Sequence, residues 1–252
     1  MHKGIEMNRS NIWGFWGTLL WGIVIGLVLF LGQLLPLLGY MLFTGIEFSL
    51  DSFVEFTQSV EKDAMLLSIS VIGSAIIVVP IVFGIAKLKK GAVLKEYFDF
   101  NAYSWKTFWI WMGILILLLI FETYALHLLG VEETPSFMKN IEYPNQISIW
   151  LLVFSVMFMA PLIEEIVFRG FLLKGFSNSF LGIYGAIVVT SLLWAMVHLQ
   201  YTIEYMLVIF AIGLVFGYAK IKTQSLFVPM SMHMLMNGLA ALGLFMEKGV
   251  IG

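Results

Sequence analysis

Two adjacent carboxylates and one guanidinium lie inside a stretch of the sequence that is otherwise apolar. The stretch covers residues 160–173, and its charged residues are Glu164, Glu165 and Arg169. Because a charge at membrane depth costs at least about 2.5 to 3.5 kcal/mol on insertion scales, a chain that keeps three together is expected to use them. Arg169 follows Glu165 by four residues. The two therefore share a helix face, where they can neutralise each other and leave Glu164 free for chemistry.

Two histidines and an asparagine are further polar groups in the apolar segments of the C-terminal half. They are His198, His233 and Asn237, and Asn237 lies one helical turn after His233, on the same face. A buried histidine in a soluble protein is more often structural than functional. In lipid, with carboxylates nearby, the functional role is favoured. We therefore expect three helices to bring these groups and the glutamates into one cavity.

Two kinds of chemistry fit such a cavity, and both are peptide hydrolysis without a covalent intermediate. In the first, a glutamate takes a proton from water, an imidazole orients that water, and an amide or second imidazole stabilises the oxyanion. In the second, Glu165, His198 and His233 hold a divalent zinc-type ion with an open position for water. The sequence does not choose between them. The chain has no cysteine and no serine in a Gly-x-Ser-x-Gly turn, so neither type of nucleophile is indicated.

The composition of the chain indicates which kind of structural element positions these residues. Of the 252 residues, 60% are hydrophobic and only 12% are charged, and the mean hydropathy is +0.95. These values are typical of a polytopic membrane protein, and each span needs about 20 residues. We predict an all-α transmembrane bundle of about seven spans, at residues 12–35, 64–86, 108–129, 147–173, 181–199, 205–219 and 227–246.

Several local features refine this prediction. An eighth helix, interfacial or re-entrant, is possible within residues 39–56. Pro161 is expected to break or kink the fourth span. Glu122, inside the third, is expected either to reach the interface or to line a cavity. Gly213 and Gly217 are spaced for close helix packing.

Basic residues predict the orientation of the bundle. With the N-terminus in the cytoplasm, only Lys62, Lys139 and Lys248 fall outside. The remaining Lys and Arg residues fall inside: Lys3, Arg9, Lys87, Lys89, Lys90, Lys95, Lys106, Arg169, Lys174, Lys220 and Lys222. The basic segment 87–106 is interpreted as an interfacial element on the anionic leaflet rather than as a nucleic-acid site.

Three motifs occur in order on separate spans. They are Glu164-Glu165-x-x-x-Arg169 with Phe168 and Gly170, then Trp194-x-x-x-His198, then His233-x-x-x-Asn237. Together, over residues 150–246, they resemble the CPBP family of intramembrane proteases, which includes CAAX prenyl endopeptidases and bacteriocin-processing or immunity proteins. The resemblance implies that the glutamates are the base and its partner and that His198 orients water. It also implies that His233 and Asn237 bind metal or stabilise the oxyanion, and that Arg169 supports the glutamates. Trp194 stands where the family usually has Phe, a change expected to alter the cavity wall more than the chemistry.

The sequence thus predicts N-terminal transmembrane helices with an interfacial basic segment in residues 1–146 and a CPBP-like catalytic core in residues 147–246. The expected activity is that of a CAAX-type intramembrane endopeptidase or metalloprotease in a bacterial cell membrane. Its partners would be the lipid bilayer and a membrane-embedded or lipid-modified peptide or protein, and no nucleic acid. The alternative is a catalytically silent scaffold or bacteriocin-immunity protein of the same fold. A transporter is disfavoured because no internal repeat is visible.

One geometric difficulty accompanies this prediction. Straight, parallel helices would leave Glu165 and His198 offset by roughly 9 Å along the helix axes. A kink at Pro161, helix tilt or local unwinding has to close that gap.

Overall fold

The computed structural model of the chain describes residues 11–132 and 134–250. Lys3 and Arg9, which the topology argument uses, lie outside the described residues. In those ranges the chain is helical, and an isolated parallel bridge between Asp63 and Glu142 is its β-type pairing. The helices are α1 (Phe15–Thr44), α2 (Leu50–Val60), α3 (Ala64–Lys87), α4 (Leu94–Tyr97), α5 (Trp105–Leu128), α6 (Ser136–Lys139), α7 (Gln146–Ser177), α8 (Gly182–Met196), α9 (Ile203–Thr223) and α10 (Phe227–Glu247).

The predicted all-α membrane bundle is confirmed. Among the described residues, six helices are long and apolar enough to cross a membrane: α1, α3, α5, α7, α9 and α10. The remaining predicted span corresponds to α8, which is apolar but only 15 residues long. The possible eighth element corresponds to α2, an 11-residue helix that is too short to span.

Polar side chains fix where the spanning helices begin. Asp63 Oδ1 accepts hydrogen bonds from the backbone N–H groups of Met65 and Leu66 at the start of α3. Asn145 and Ser148 form a reciprocal capping box at the start of α7. Since the first N–H groups of a helix have no partner within it, these caps satisfy donors that lipid could not.

Glycines allow the helices of the C-terminal half to pack closely. A Cβ added at Gly213 would lie 2.9 Å from the Cβ of Ser191, and one at Gly217 would lie 3.1 Å from Ile187 Cγ2. The predicted close packing at these two glycines is therefore confirmed, and it joins α9 to α8. Gly170 serves a similar purpose on α7, where an added Cβ would lie 2.5 Å from the ring of Phe98.

Helix α7 carries the glutamates and is continuous from Gln146 to Ser177. It is π-helical over Ser155–Met159 and again over Glu165–Leu172. Pro161, which lacks a backbone N–H, follows the first π-helical stretch directly. Of the two outcomes predicted at Pro161, the break is wrong, because the helix passes the proline by a local change of helical geometry, and the kink stays a prediction. Such π-helical turns are frequent at functional sites.

A buried charge cluster joins the basic segment to the C-terminal helices. Lys174 Nζ lies 2.7 Å from Asp99 Oδ1, and Lys220 Nζ lies 2.6 Å from Asp99 Oδ2. All three side chains are at least nine-tenths buried. Two lysines assigned to the cytoplasmic surface therefore belong to an internal network, and the connection between α4 and α5 is part of the bundle core.

Glu122, on α5, is buried rather than extended to the interface. Its residue is 6% exposed, and its Oε1 atom has no hydrogen-bond partner among the described residues. A neighbouring groove of about 630 Å³ is lined by Thr123 and His127 together with residues of α10, and Glu122 is not part of its wall. The interpretation that Glu122 snorkels to the interface is therefore wrong.

The orientation of the bundle stays a prediction that single cysteines can test, because the native chain has none. Lys90, Lys222, Glu55 and Glu142 are all exposed in the structure. With the N-terminus in the cytoplasm, Lys90→Cys and Lys222→Cys should resist a membrane-impermeant thiol reagent in intact cells, whereas Glu55→Cys and Glu142→Cys should react. All four should react after permeabilisation. Labelling of Lys222→Cys in intact cells would contradict the predicted topology of the catalytic half.

Removing the charge of Asp99 is expected to lower the stability of the protein. Asp99→Asn keeps the size of the side chain and suits the left-handed backbone at φ 52°, but it leaves two buried ammonium groups without a counter-charge. We expect a loss on the order of 3 to 5 kcal/mol, measured as a lower thermal unfolding midpoint in detergent. Glu96→Gln, at an exposed carboxylate three residues earlier, is the matched control. Equal midpoints for the two variants would mean that the cluster does not stabilise the bundle.

Candidate active site

The two glutamates on α7 point toward different helices. Glu165 is fully buried, and its Oε1 atom accepts from Arg169 Nη1 at 3.0 Å and from His233 Nδ1 at 2.9 Å. Glu165 is thereby linked to its own helix and to α10. The i,i+4 pairing with Arg169 is the one that the sequence predicted.

The guanidinium of Arg169 lies between aromatic rings. Its carbon atom is 4.1 Å from the ring centroid of Trp194 and 5.4 Å from that of Phe216. A cation over an aromatic face is attracted by the negative potential of the ring, most strongly when the pair is desolvated. Arg169 is 1% exposed, so one carboxylate and two rings replace the water that it has lost.

Glu164 is the more accessible glutamate, with 23% of its side chain exposed. Its Oε2 atom accepts a 2.5 Å hydrogen bond from Trp194 Nε1. The same oxygen lies 4.0 Å from His198 Nε2 and 3.9 Å from His233 Nε2. These two separations are too long for direct hydrogen bonds but suit groups that share one water molecule. The structure therefore brings together Glu164 and both histidines around a small, partly open space.

His198 follows the end of α8 and turns back toward it. Its backbone N–H bonds to Ala195 O at 3.1 Å, and its ring Nδ1 lies 2.7 Å from the carbonyl oxygen of Trp194. A histidine near a helix C-terminus can satisfy a terminal carbonyl in this way. The turned-back ring places His198 Nε2 near Glu164, the neighbour of the glutamate for which the axial gap was expected.

The partners of the two rings define their tautomers. A carbonyl oxygen only accepts, so Nδ1 of His198 carries a proton, and Nδ1 of His233 is the donor in its contact with the carboxylate oxygen of Glu165. The Nε2 atom of each ring then lies on the side of Glu164. Fixing one ring nitrogen sets the role of the other, which is the usual way in which a protein orients a functional imidazole.

Asn237 lies on α10, one turn after His233, and its side chain binds to the main chain of α7. Its Nδ2 atom donates to Val156 O at 2.8 Å, and Val156 belongs to the first π-helical stretch of α7. The amide group retains a second N–H. Its placement one turn from His233 follows the spacing, whereas the bond to Val156 had no signal in the sequence.

Tyr201 is a neighbour of the site that the sequence motifs did not indicate. Its ring centroid lies 5.9 Å from that of His198, and Phe137, on α6, packs edge-on against it at 4.9 Å. Burial, followed by the negative charge of Glu164, raises the pKa of Tyr201 to about 12. The phenol therefore stays neutral at physiological pH. The connection that contains α6 thus reaches the edge of the site.

The residues suggested as zinc ligands do not converge on one point. Glu165 Oε1 lies at Nδ1 of His233. His198 Nε2 lies instead near Glu164 Oε2, which is also the oxygen nearest to Nε2 of His233. In residues 11–132 and 134–250, no group of three or more His, Cys, Asp or Glu side chains is arranged to hold a metal ion. The proposed set of Glu165, His198 and His233 therefore does not fit a metal in this arrangement, and the zinc mechanism stays a prediction.

Comparison with known proteins identifies this region. Residues 146–239 match the family model described as Type II CAAX prenyl endopeptidase Rce1-like. A stretch of 114 residues is 32% identical to the membrane-embedded CAAX protease MroQ of Staphylococcus aureus (strain USA300). That alignment covers 43% of this chain and 44% of the relative, so the chain matches less than half of that protein's length. No solved structure matches the chain.

The matched residues include α7 through most of α10 and therefore every side chain of the site described above. The three motifs, their meeting in one buried cluster and both matches agree. Residues 146–239 therefore resemble an Rce1-like CAAX prenyl endopeptidase domain, and the chain is an integral, multi-pass membrane protein that is similar to CAAX proteases over this region.

Proposed function

We propose that this chain is an intramembrane endopeptidase in which Glu164 is the general base. The observation that carries the proposal is the position of Glu164 Oε2, about equally far from the Nε2 atoms of His198 and His233, at 4.0 and 3.9 Å. A water molecule between these three atoms would meet one proton acceptor and two orienting groups. Glu164 is also partly exposed, so water and a peptide can reach it.

Glu165 has a different role in this proposal. Its Oε1 atom already accepts from Arg169 and His233, and the residue is fully buried. A carboxylate held in this way is poorly placed to take a proton from a substrate water. We therefore assign Glu165 to positioning His233 and to neutralising Arg169.

The proposed reaction uses only residues of the chain and one water. Glu164 takes a proton as the water oxygen attacks the carbonyl carbon of the scissile bond, and the carbonyl electron pair moves to oxygen. His198 and His233 orient the water, and the second N–H of Asn237 donates to the oxyanion. Collapse of the intermediate breaks the C–N bond, and the proton held by Glu164 passes to the leaving nitrogen. The products are a carboxylic acid and an amine.

The substrate class follows from the location of the site and from the comparisons. The site residues lie on membrane-spanning helices and on the short apolar helix beside them, so the substrate is proposed to be a membrane-embedded or lipid-modified peptide or protein. The relative in Staphylococcus aureus is named as a CAAX protease, which supports cleavage near the end of such a chain and a bacterial membrane location. A silent scaffold or immunity protein of the same fold would keep the helices without needing the arrangement at Glu164.

Replacing each glutamate by glutamine separates the two roles. Glu164→Gln removes the proton acceptor, so cleavage of a membrane-anchored fluorogenic peptide should slow by about 10² to 10⁴-fold, with the thermal unfolding midpoint nearly unchanged. Glu165→Gln leaves Arg169 buried without a full counter-charge, so that variant should mainly lose stability. Adding His198→Ala to Glu164→Gln should cost little more, because groups that act as a unit are not additive.

The two isosteric variants serve as controls for each other. Undiminished turnover by folded Glu164→Gln would contradict the role of Glu164. A cellular phenotype that persists in folded glutamine variants of both residues would support the scaffold instead.

Metal dependence has its own test. Because the proposed ligands do not converge, we expect turnover to survive dialysis against a strong chelator and the protein to carry less than one equivalent of zinc by elemental analysis. The zinc mechanism would instead be established if chelation abolished turnover and added zinc restored it, and if His198→Ala and His233→Ala showed no such restoration.

A further inference from the structure

We infer that Trp194 is a positioning residue for the general base, and that its indole N–H fixes the direction in which Glu164 accepts a proton. This inference rests on the proposed function, since it takes Glu164 as the base. It concerns a group that the family pattern, with Phe at this place, does not provide. The sequence suggested that Trp194 changes the cavity wall more than the chemistry, but the geometry points the other way.

Trp194 contacts each of the other charged or titratable groups of the site except Glu165. Its Nε1 atom donates to Glu164 at 2.5 Å, and its carbonyl oxygen accepts from His198 Nδ1 at 2.7 Å. Its ring lies under the guanidinium of Arg169 at 4.1 Å and edge-on to His233 at 5.3 Å. The residue is 1% exposed, so the ring has no room to reorient without moving these partners.

Only one of these contacts depends on the indole nitrogen. Any residue has the carbonyl oxygen that binds His198, and a phenyl ring also offers a face to a guanidinium. The hydrogen bond to Glu164 is different, because Phe has no donor. Trp194→Phe therefore removes the proposed function of the residue and keeps its other roles.

The bond matters because Glu164 has few other restraints. Its side chain is partly exposed, and its distances to the two histidines are longer than hydrogen bonds. A terminal carboxylate rotates broadly about its last bond. The indole holds Oε2 on the side of the two Nε2 atoms, so the carboxylate is already oriented when water enters. Catalysis is sensitive to such placement, since small misplacements of a catalytic group slow reactions strongly.

Kinetics on purified protein test the inference. Trp194→Phe should lower kcat by about 10- to 100-fold, the range expected for loss of one hydrogen bond to a charged group. KM and the thermal unfolding midpoint should change little, because substrate contacts and the cation–π contact remain. Trp111→Phe, at a buried tryptophan of α5 that packs against Tyr218, is the matched control and should retain the kcat of the unmodified protein. Equal kcat values for the two variants would overturn the inference.

A spectroscopic measurement tests the bond without activity. The chain has eight tryptophans, and with ¹⁵N-labelled indoles each should give one N–H signal. The signal lost in Trp194→Phe should lie downfield and should move upfield in Glu164→Gln, because an amide oxygen is a weaker acceptor than a carboxylate. The other seven should stay in place. If none of the eight moves in Glu164→Gln, the inference is wrong, even where Trp194→Phe does not fold.

The two measurements also separate the inference from the proposed function. Absence of turnover in every form of the protein, with the indole signal responding to Glu164→Gln, would reject proteolysis and keep the bond as a structural contact. The positioning role of Trp194 would then be rejected together with proteolysis.

Discussion

The buried ion pair between Glu165 and Arg169 is the interaction on which the rest of the site depends. Hydrocarbon offers no water to solvate either charge, so the two must satisfy each other, and the rings of Trp194 and Phe216 supply the remaining attraction to the guanidinium. His233 joins the pair through its Nδ1–H. The result is a compact cluster of three side chains that fixes α10 against α7. Glu164 can then remain outside the cluster.

The same constraint acts farther along α7 and links the two halves of the chain. Asp99 binds Lys174 and Lys220, and the neighbouring Phe98 packs into the space left by Gly170. Gly170 follows Arg169 directly, so the N-terminal half contacts the helix turn that carries the ion pair. The basic segment therefore supports the helix that carries the ion pair.

The sequence was sufficient for the six long apolar helices and for the residues of the polar cluster, because both depend on local composition, whereas the predicted span at residues 181–199 is a helix of only 15 residues. Continuous apolar runs fix the helices, and the spacing from Glu165 to Arg169 fixes their contact. Asp99 could not be predicted, since its partners are 75 and 121 residues away and were interpreted as ordinary surface lysines. The π-helical stretches also had no signal, because hydropathy does not report the number of residues in a turn, and for that reason Pro161 suggested a break that is absent.

Two adjacent glutamates acquire different roles because neighbouring residues point about 100° apart around an α-helix. Arg169 lies within reach of the second glutamate, Glu165, and the two charges neutralise each other. The first is directed toward α8, where Trp194 and His198 provide a donor and an imidazole. One helix can therefore present both a buried carboxylate neutralised by arginine and a partly exposed one without an ion-pair partner at hydrogen-bond distance. Exchanging Arg169 for a neutral residue would add a second uncompensated charge to the same cavity, so the arginine makes the adjacent pair tolerable within the membrane.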